Sequence, residues 1–397
     1  MYLSGDFIPQ GLTPFCENLE ANEIVLANLE GPVCSAELPK AAKTGIHLRS
    51  NPFELNGRWA FALANNHLMD YGEQGLKETT AFLKEKGFAF AGAGCNLAEA
   101  RRPMMLEESG KKIAVFSCCE RQYGSAEENS CGTAEKGLWL FEAIKKIKAE
   151  GKADYVIVSS HVASEFSPFI SPKLQEFYRA LIDGGADIIH GHHSHVPQGY
   201  ERHGHGFIFY GLGNYLVNAR QWRNVNQNWS RVVRLIFDED GLHVVPPRVY
   251  VCESDAKSAK SRLGLGPEIL PCENYCDIVD RQCTDPHLTR ALWQEASVRL
   301  YHRIYEQLLR APSTEKVKIP FRASVRKTLF AVKDLWSAVT RREIPTDKSR
   351  FYASCIGSYF WCESHREMIA TALGVLTGSE VDLRTKETSC LAKECGL

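Results

Sequence analysis

Short apolar segments alternate with helical patterns through the first 255 residues, and this alternation constrains the fold more than any other feature. Five apolar runs, rich in β-branched residues, predict buried strands at 24–30, 61–67, 112–120, 155–161 and 187–193. The segments between them carry apolar residues at three- and four-residue steps and stop at glycine. In the segment before the last run, Ser171 is a natural N-cap and Pro172 fits the first helical position. Strands that alternate with helices predict an α/β domain.

The pattern changes near residue 255, so we expect the α/β domain to cover 1–255. A loose Lys/Ser/Gly-rich stretch then predicts a linker over 256–284. Helical patterns dominate 285–397, which we interpret as a helical C-terminal extension. Within it, 321–342 is amphipathic with a basic face, a pattern that suits either contact with a membrane surface or, more commonly, packing on its own domain.

The net charge and the cysteine pattern limit which binding partners and which cellular compartment we expect. The 47 basic and 48 acidic residues leave a net charge of −1, which encodes no general attraction to nucleic acid. The fourteen cysteines are scattered and form no Cys-x-x-Cys pair, as is typical of free thiols in a reducing compartment. The N-terminus shows no signal peptide, and no apolar stretch approaches the roughly 18 residues that span a bilayer. We therefore expect a cytoplasmic protein without a nucleic-acid partner.

Polar side chains stand at the carboxyl ends of the apolar runs. In order along the chain these are Asp6, Glu30, Asn65, Asn66, His67, His161, His190, His192, His193 and His195. Ligands of α/β sheets bind outside the carboxyl ends of the strands, so these residues are expected to line one crevice. Imidazole, carboxylate and amide together suit divalent metals such as Zn, Fe and Mn. A metal pair can polarise a phosphoryl oxygen and activate a bound water.

Each of these residues also has a structural explanation when taken alone. Asp6 and the Asn65–Asn66 pair could be turn residues, and His161 could be a buried histidine with satisfied hydrogen bonds. His190 falls inside a strand, where packing is a sufficient role. We expect His203 and His205, which lie in a hairpin turn beyond the cluster, to have no role in the site. The coincidence of five strand ends favours a metal site over these separate explanations.

Seven segments carry a resemblance to a known family. They are "GD" (5–6), "NLEGPV" (28–33), "NNHLMDYGEQGLKET" (65–79), "GAGCNLAEARRP" (92–103), "SSHVASEF" (159–166), "LIDGGADIIHGHHSHVPQGYE" (181–201) and "YGLGNYLVN" (210–218). The chain resembles the CapA family of capsule (poly-γ-glutamate) synthesis proteins, which look like members of the calcineurin-like metallophosphatase superfamily. The resemblance covers roughly residues 1–250.

The resemblance implies a four-layer α/β/β/α sandwich that holds one or two divalent metal ions (Mn, Fe or Zn). The metal ligands that it implies are Asp6, Glu30, Asn66, His161, His193 and His195, with His192 as an alternative in a shifted register. It also implies two catalytic residues. His67 matches the histidine that contacts or protonates the leaving oxygen, and Glu165 stands at the glutamate of the family's His-Trp-Gly-x-Glu motif.

Three motifs depart from the pattern that the resemblance implies. Ile8 occupies the histidine position of the first Asp-x-His motif, and Glu30 stands where aspartate is usual. Val162 and Ala163 replace the Trp-Gly of the fourth motif. Because one metal position then lacks a ligand, the site is compatible with a single metal ion or with weak loading.

Two functional hypotheses follow from these implications. The first is a metal-dependent hydrolase of the phosphoesterase type that acts in capsule, poly-γ-glutamate or cell-envelope polymer metabolism, on an anionic polymer or a phosphorylated small molecule. The alternative is a non-catalytic metallophosphatase-like module that binds polymer or scaffolds capsule-synthesis proteins. A metal-stabilised structural domain is a third and lesser hypothesis.

Overall fold

Two β-sheets dominate the structure, a computed structural model that describes residues 1–9, 23–43, 46–217, 229–255, 258–262, 272, 274–305 and 362–397. The strands are β1 (Tyr2–Ile8), β2 (Ile24–Leu29), β3 (Arg58–Ala62), β4 (Ala89–Ala91), β5 (Ala93–Gly94), β6 (Met104–Glu108), β7 (Lys111–Cys119), β8 (Gly132–Thr133), β9 (Tyr155–His161), β10 (Ile188–Gly191), β11 (Tyr200–His203), β12 (Gly206–Phe209), β13 (Asn214–Val217), β14 (Trp229–Phe237), β15 (Leu242–Asp255) and β16 (Ser258–Arg262). The first sheet runs β16-β15-β14-β1-β2-β3-β4, with β13 also paired to β1, and the second runs β11-β12-β10-β9-β7-β6. Strands β5 and β8 form a separate small pair.

Helices lie in three regions of the described chain. They are α1 (Gly72–Glu85), α2 (Leu97–Ala100), α3 (Leu138–Ala149), α4 (Pro172–Asp183), α5 (Tyr275–Thr284), α6 (Pro286–Leu300), α7 (Glu363–Thr377) and α8 (Lys386–Glu394), with a π-helical turn at Tyr301–Tyr305 after α6. Helix α4 begins as expected, because the Ser171 hydroxyl accepts a hydrogen bond from the backbone N–H of Leu174 and Pro172 occupies its first turn. Among the residues that the structure describes, none of the helices is both long enough and apolar enough to cross a bilayer.

The two sheets pack face to face with helices on their outer faces. Leu26 of the first sheet and Ile157 of the second share one buried cluster, which forms the core between the sheets. Helix α1 packs its Leu83 with Phe61 on the outer face of the first sheet. Helices α3 and α4 cover the second sheet in a third cluster, which includes Leu181. The predicted four-layer α/β/β/α arrangement is confirmed.

Parallel strands at the centre of both sheets bring their carboxyl ends to one place. Strands β1, β2 and β3 pair in parallel in the first sheet, and β7, β9 and β10 do so in the second. Every residue of β2 is buried and all but Asn28 are apolar, as expected of a parallel strand that is covered on both faces. The residues that end these strands are therefore placed along one edge, where the sheets face each other.

The structure departs from the predicted linker at its two ends. Strand β16 lies near its start, and α5 covers Tyr275–Thr284 at its close. Helix α5 forms because Tyr275, Ile278 and Val279 repeat at helical spacing and pack beside Trp229. The Lys/Ser/Gly composition of the preceding residues obscured this repeat. The amphipathic segment 321–342 lies outside the described residues.

A buried ion pair joins α5 to the first sheet. The guanidinium of Arg231, which is 4% exposed, donates to both carboxylate oxygens of Asp280 at 2.6 and 2.9 Å. We expect Asp280→Ala to lower the free energy of unfolding by about 3 kcal/mol, because it leaves a buried cation without its partner. Urea denaturation measures this loss. Asp277→Ala, on the exposed side of the same helix, is the control, and equal midpoints for the two variants would contradict the prediction.

Candidate metal centre

Four strand ends deliver carboxylates, an amide and imidazoles to one buried cluster. Asp6 lies near the end of β1, Asn28 near the end of β2 and Glu30 directly after it. His161 is the last residue of β9, and the segment 192–195 follows β10. All of these side chains are at most 1% exposed. The convergence predicted from the strand ends is therefore present in the fold.

Asp6 lies at the centre of the cluster. Its Oδ1 accepts a hydrogen bond from the Asn28 amide at 2.8 Å, and His192 Nδ1 lies 3.0 Å from the same oxygen. His195 Nδ1 lies 3.3 Å from Asp6 Oδ2. Asn28 also lies 3.2 Å from His161 Nδ1, so it links the first sheet to the second.

Glu30 faces two imidazoles across the cluster. His195 Nε2 lies 3.3 Å from Glu30 Oε1, and His161 Nε2 lies 3.8 Å from the same oxygen. The Asn66 Oδ1 is 3.0 Å from His161 Nε2, which brings the predicted amide ligand to the same place.

Two groups of three side chains have the spacing that a metal ion needs. Potential ligand atoms of Asp6, Glu30 and His195 all lie within 4.8 Å of one another, and so do those of Glu165, His193 and His195. Because His195 belongs to both groups, the two positions are adjacent. This arrangement suits one ion or a close pair.

Several buried polar atoms of the cluster make no well-formed hydrogen bond within the described part of the chain, although some of them lie close to an ionisable neighbour. They are Asp6 Oδ2, both carboxylate oxygens of Glu30, both ring nitrogens of His192 and Nδ1 of His193. Buried polar atoms without partners are costly, and their concentration in one cluster needs an explanation. A divalent cation would accept electron pairs from the carboxylate oxygens and from deprotonated ring nitrogens at once. The donor set therefore fits a metal ion.

Burial and neighbouring charges shift the pKa values of the ionisable side chains in the cluster. Burial raises the pKa of Glu30 well above its ordinary value. The charge of His195 opposes this shift, and the negative charge of Asp6 adds to it. Burial also acts to raise the pKa of Asp6, but its interactions with His192 and His195 outweigh that effect and hold it well below the usual range. Burial would lower the pKa of His195, yet Glu30 and Asp6 raise it to about 10.

Two other imidazoles stay in the form that binds metal. Burial lowers the pKa of His161 and His193 well below the ordinary histidine value, and the neighbouring histidines lower that of His193 further. A neutral imidazole has a nitrogen lone pair for a cation. The ring centroids of these two residues are 4.4 Å apart.

The loop after β10 holds its histidines in an unusual backbone conformation. His193 has φ of 81° and His195 has φ of 55°, both in the left-handed region that costs a non-glycine residue free energy. Such strain concentrates at functional sites, where the surrounding structure maintains it. Here it accompanies the two imidazoles that the sequence predicts as ligands.

His67 is oriented by a neighbouring carboxylate. Its Nδ1 lies 2.8 Å from Asp70 Oδ2 and 3.3 Å from Lys43 Nζ, and Lys43 forms an ion pair with the other oxygen of Asp70. Burial, followed by the charge of Lys43, lowers the pKa of His67, although the hydrogen bond to Asp70 opposes the shift. The Asp70 contact leaves Nε2 as the ring nitrogen for a substrate.

The remaining histidines make their polar contacts outside the ligand set, although the ring centroid of His190 lies 4.1 Å from that of His192. His190 Nε2 lies 2.7 Å from the carbonyl oxygen of Ser4, and its Nδ1 lies 3.3 Å from Ser159 Oγ, as expected of a packed strand residue. His203 pairs with Asp183, and His205 is exposed. Glu165, predicted as catalytic, lies with the potential ligands His193 and His195.

Sequence reasoning missed four residues that contact the cluster. Asn28 precedes Glu30 by two residues in the same strand-end motif, and Asp70 follows His67 at helical spacing, so both had a local signal. Lys43 had none, because it lies in an irregular segment far from any motif. Asn214, whose Oδ1 is 3.1 Å from His195 Nδ1, belongs to the quoted 210–218 segment.

A family model for bacterial capsule synthesis proteins, PGA_cap, matches residues 8–219, more than half of the chain. The chain belongs to this family. The membership confirms the family resemblance carried by the sequence motifs. The matched range of the capsule synthesis family includes all the predicted site residues except Asp6, which precedes it.

Named relatives of this capsule synthesis protein come from several bacteria. The capsule biosynthesis protein CapA of Bacillus anthracis is 29% identical over 315 residues, which cover 74% of this chain and 71% of the relative. The PGA biosynthesis protein CapA of Bacillus subtilis (strain 168) is 31% identical over 53% of this chain and 55% of its own length. A probable polyglutamine synthesis accessory protein of Mycobacterium tuberculosis is 30% identical over 55% of this chain and 61% of its own length. The chain thus spans little more than half the length of the last two relatives.

Solved structures show only a slight likeness to this member of the capsule synthesis family. A putative 5′-nucleotidase of Staphylococcus aureus is 13% identical with a TM-score of 0.35 and covers 63% of this chain and 54% of its own. A phosphatase of Mycoplasma pneumoniae is 12% identical with a TM-score of 0.33, over 66% of this chain and 89% of its own. Scores this low support no inference about activity.

Proposed function

We propose that this capsule synthesis protein is a metal-dependent hydrolase of the phosphoesterase type that acts on an anionic polymer or a phosphorylated small molecule. The observation that supports this most is the cluster of buried, unpartnered carboxylate and imidazole atoms where the two sheets meet. Its ion would be held by the predicted ligands Asp6, Glu30, Asn66, His161, His193 and His195, with Glu165 and His192 beside them. When bound, a divalent ion supplies Lewis-acid stabilisation of charge on a phosphoryl oxygen.

The protein's own residues would orient the ligands and handle the proton. Asn28 holds the Asp6 carboxylate through its amide, which fixes the direction in which Oδ2 points. Asp70 orients the His67 ring so that Nε2 is directed away from the Asp70 contact and can deliver a proton to a leaving oxygen. Lys43 adds a cation next to His67, which favours an anionic substrate.

The pathway and compartment are part of the same proposal. By their names the relatives act in capsule, PGA or polyglutamine synthesis, so we propose capsule-synthesis proteins as partners and a capsule or poly-γ-glutamate intermediate as the substrate class. The described cysteines are free thiols, several of them buried. Buried free thiols suit a reducing compartment, and we propose the cytoplasm.

Hydrolysis of a generic phosphate ester tests the proposed activity. Protein loaded with Mn²⁺ or Zn²⁺ should hydrolyse p-nitrophenyl phosphate or its diester, and EDTA should abolish turnover until metal is restored. Initial rates at matched protein and metal concentrations measure this. A variant that lacks His193 and His195 is the control for free metal in solution. Turnover that survives complete removal of metal would contradict the proposal.

A non-catalytic polymer-binding module is the second candidate, and one observation favours it. Ile8, buried at 1% exposure, stands where the family places a metal-binding histidine. A site that lacks one ligand can bind an ion without supporting turnover. In that case metal-loaded protein would retain poly-γ-glutamate on an affinity column while hydrolysing neither ester.

A further inference from the structure

The first turn of α7 is anchored to a carboxylate beside the metal centre. Glu120 follows β7, whose last residue, Cys119, pairs with His161. The Glu120 side chain is 1% exposed, and it accepts hydrogen bonds from Cys362 Sγ at 2.8 Å, from the backbone N–H of Ser364 at 3.2 Å and from the Ser364 hydroxyl. A carboxylate at a helix N-terminus is favoured by the helix dipole. Glu120 therefore holds the start of α7 against the strand end that supplies His161.

Other contacts attach the same helix to the segment that follows β9. Ser164, which directly precedes Glu165, donates a hydrogen bond to the carbonyl oxygen of Ser364 at 3.5 Å. The Ser171 hydroxyl donates to Glu367 at 2.6 Å, one turn further along α7. The helix is thus attached both to the end of β7 and to the segment that carries Glu165.

Gln122 connects this helix to a predicted metal ligand. Its amide nitrogen lies 3.9 Å from Cys362 Sγ and 3.4 Å from Nε2 of His193, while Nδ1 of His193 has no hydrogen-bond partner among the described residues. A metal-binding histidine usually gives one ring nitrogen to the ion and the other to a protein group that fixes the ring. The amide can serve either as donor or, turned over, as acceptor without a change of shape. Gln122 is therefore in position to fix the ring of His193.

The first turn of α7 also carries a buried imidazole. His365 is 8% exposed and follows the anchored Ser364. Because Ser164 directly precedes Glu165 and donates to the carbonyl oxygen of Ser364, this turn lies beside the segment that carries Glu165.

We propose that α7 is the outer wall of the metal centre, with Glu120 as its anchor and Gln122 as the positioning residue that transmits this anchorage to His193. The proposal rests on the proposed function in one respect, namely that His193 binds a metal ion. It assigns a role in the site to a segment of the C-terminal extension, which lies outside the matched family range.

Titration with Co²⁺, whose absorption spectrum reports the geometry of its ligands, tests the proposal on the full chain. Gln122→Leu should bind Co²⁺ about 10- to 100-fold more weakly than the natural protein and show an altered spectrum, because His193 loses its outer partner. Glu120→Gln should also weaken Co²⁺ binding. In addition, amide hydrogens of 363–377 should exchange at least about tenfold faster, because charge-assisted hydrogen bonds are lost.

Arg366→Ala, on the exposed side of the same helix, is the matched control and should behave as the natural protein does. If Glu120→Gln does not fold, Ser364→Ala tests the same anchor by removing one hydroxyl donor, with smaller effects of the same sign. Faster exchange in α7 with unchanged Co²⁺ affinity and spectrum in both site variants would overturn the proposal and leave the proposed function intact. A natural protein that binds no Co²⁺, Mn²⁺ or Zn²⁺ would overturn both, and its own titration would reveal this.

Discussion

A protein in which His193 and His195 are both replaced by alanine is expected to lose most of its bound metal. His195 belongs to both groups of potential ligands, so its removal leaves each of them incomplete. The loss of His193 takes a second imidazole from the group that contains Glu165. An incomplete ligand set binds a divalent ion far more weakly, because the remaining groups cannot complete its coordination. Elemental analysis after gel filtration, at matched protein concentration, measures the loss.

The matched control is a double variant of His203 and His205, two histidines of the same region that lie outside the cluster. That protein should keep the metal content of the natural chain. Thermal unfolding in EDTA separates loss of the site from loss of the fold, because both variants are then compared without metal. Unchanged metal content in the His193 and His195 variant would show that these residues are not the ligands.

Replacement of His67 by alanine is expected to leave the metal in place and to reduce turnover by about 10²- to 10⁴-fold, the usual contribution of a general acid. The deficit should be large for an alkyl phosphate, whose leaving oxygen needs a proton, and small for a nitrophenyl ester, whose leaving group departs as the anion. Burial and the charge of Lys43 lower the pKa of His67, which makes its protonated ring a stronger acid. Steady-state rates on both esters, together with metal content, measure the effect.

Two companion variants make this result specific to proton donation. Asn66→Ala removes a predicted ligand rather than an acid, so it should lower metal affinity and impair both esters alike. Asp70→Asn keeps the shape but removes the charge that opposes the lowering of the His67 pKa, so it should impair the alkyl ester more than the nitrophenyl ester. If His67→Ala is equally poor on both esters, or has lost its metal, then His67 is a ligand or a structural residue.

The layered core was predictable from sequence because its signals are local. The apolar runs at 24–30 and 155–161 each predict a buried parallel strand, and the N-cap residue Ser171 predicts the start of a helix. Convergence of Asp6 and Glu30 then follows from the rule that parallel strands of one sheet end at one edge. His161 belongs to the second sheet, so its approach to them also depends on how the two sheets pack.

The contacts that the sequence did not reveal are those between distant segments. Lys43 reaches Asp70 from an irregular segment, and Glu120 reaches Ser364 across 244 residues, so no spacing pattern could pair them. Helix α5 was missed for a different reason. Its apolar repeat is short, and the polar composition before it favoured a linker.

The separation of Glu120 from Ser364 along the chain also determines how long after Glu120 its hydrogen-bond partner is synthesised. At about 5–20 residues per second, the ribosome reaches Ser364 roughly 12–50 s after Glu120. Strand β9 and the loop after β10 are made early in that interval, while the partners of Glu120 are not yet made. Glu120 therefore lacks its helical partners for most of synthesis, and α7 can cover this part of the centre only after Ser364 has been made.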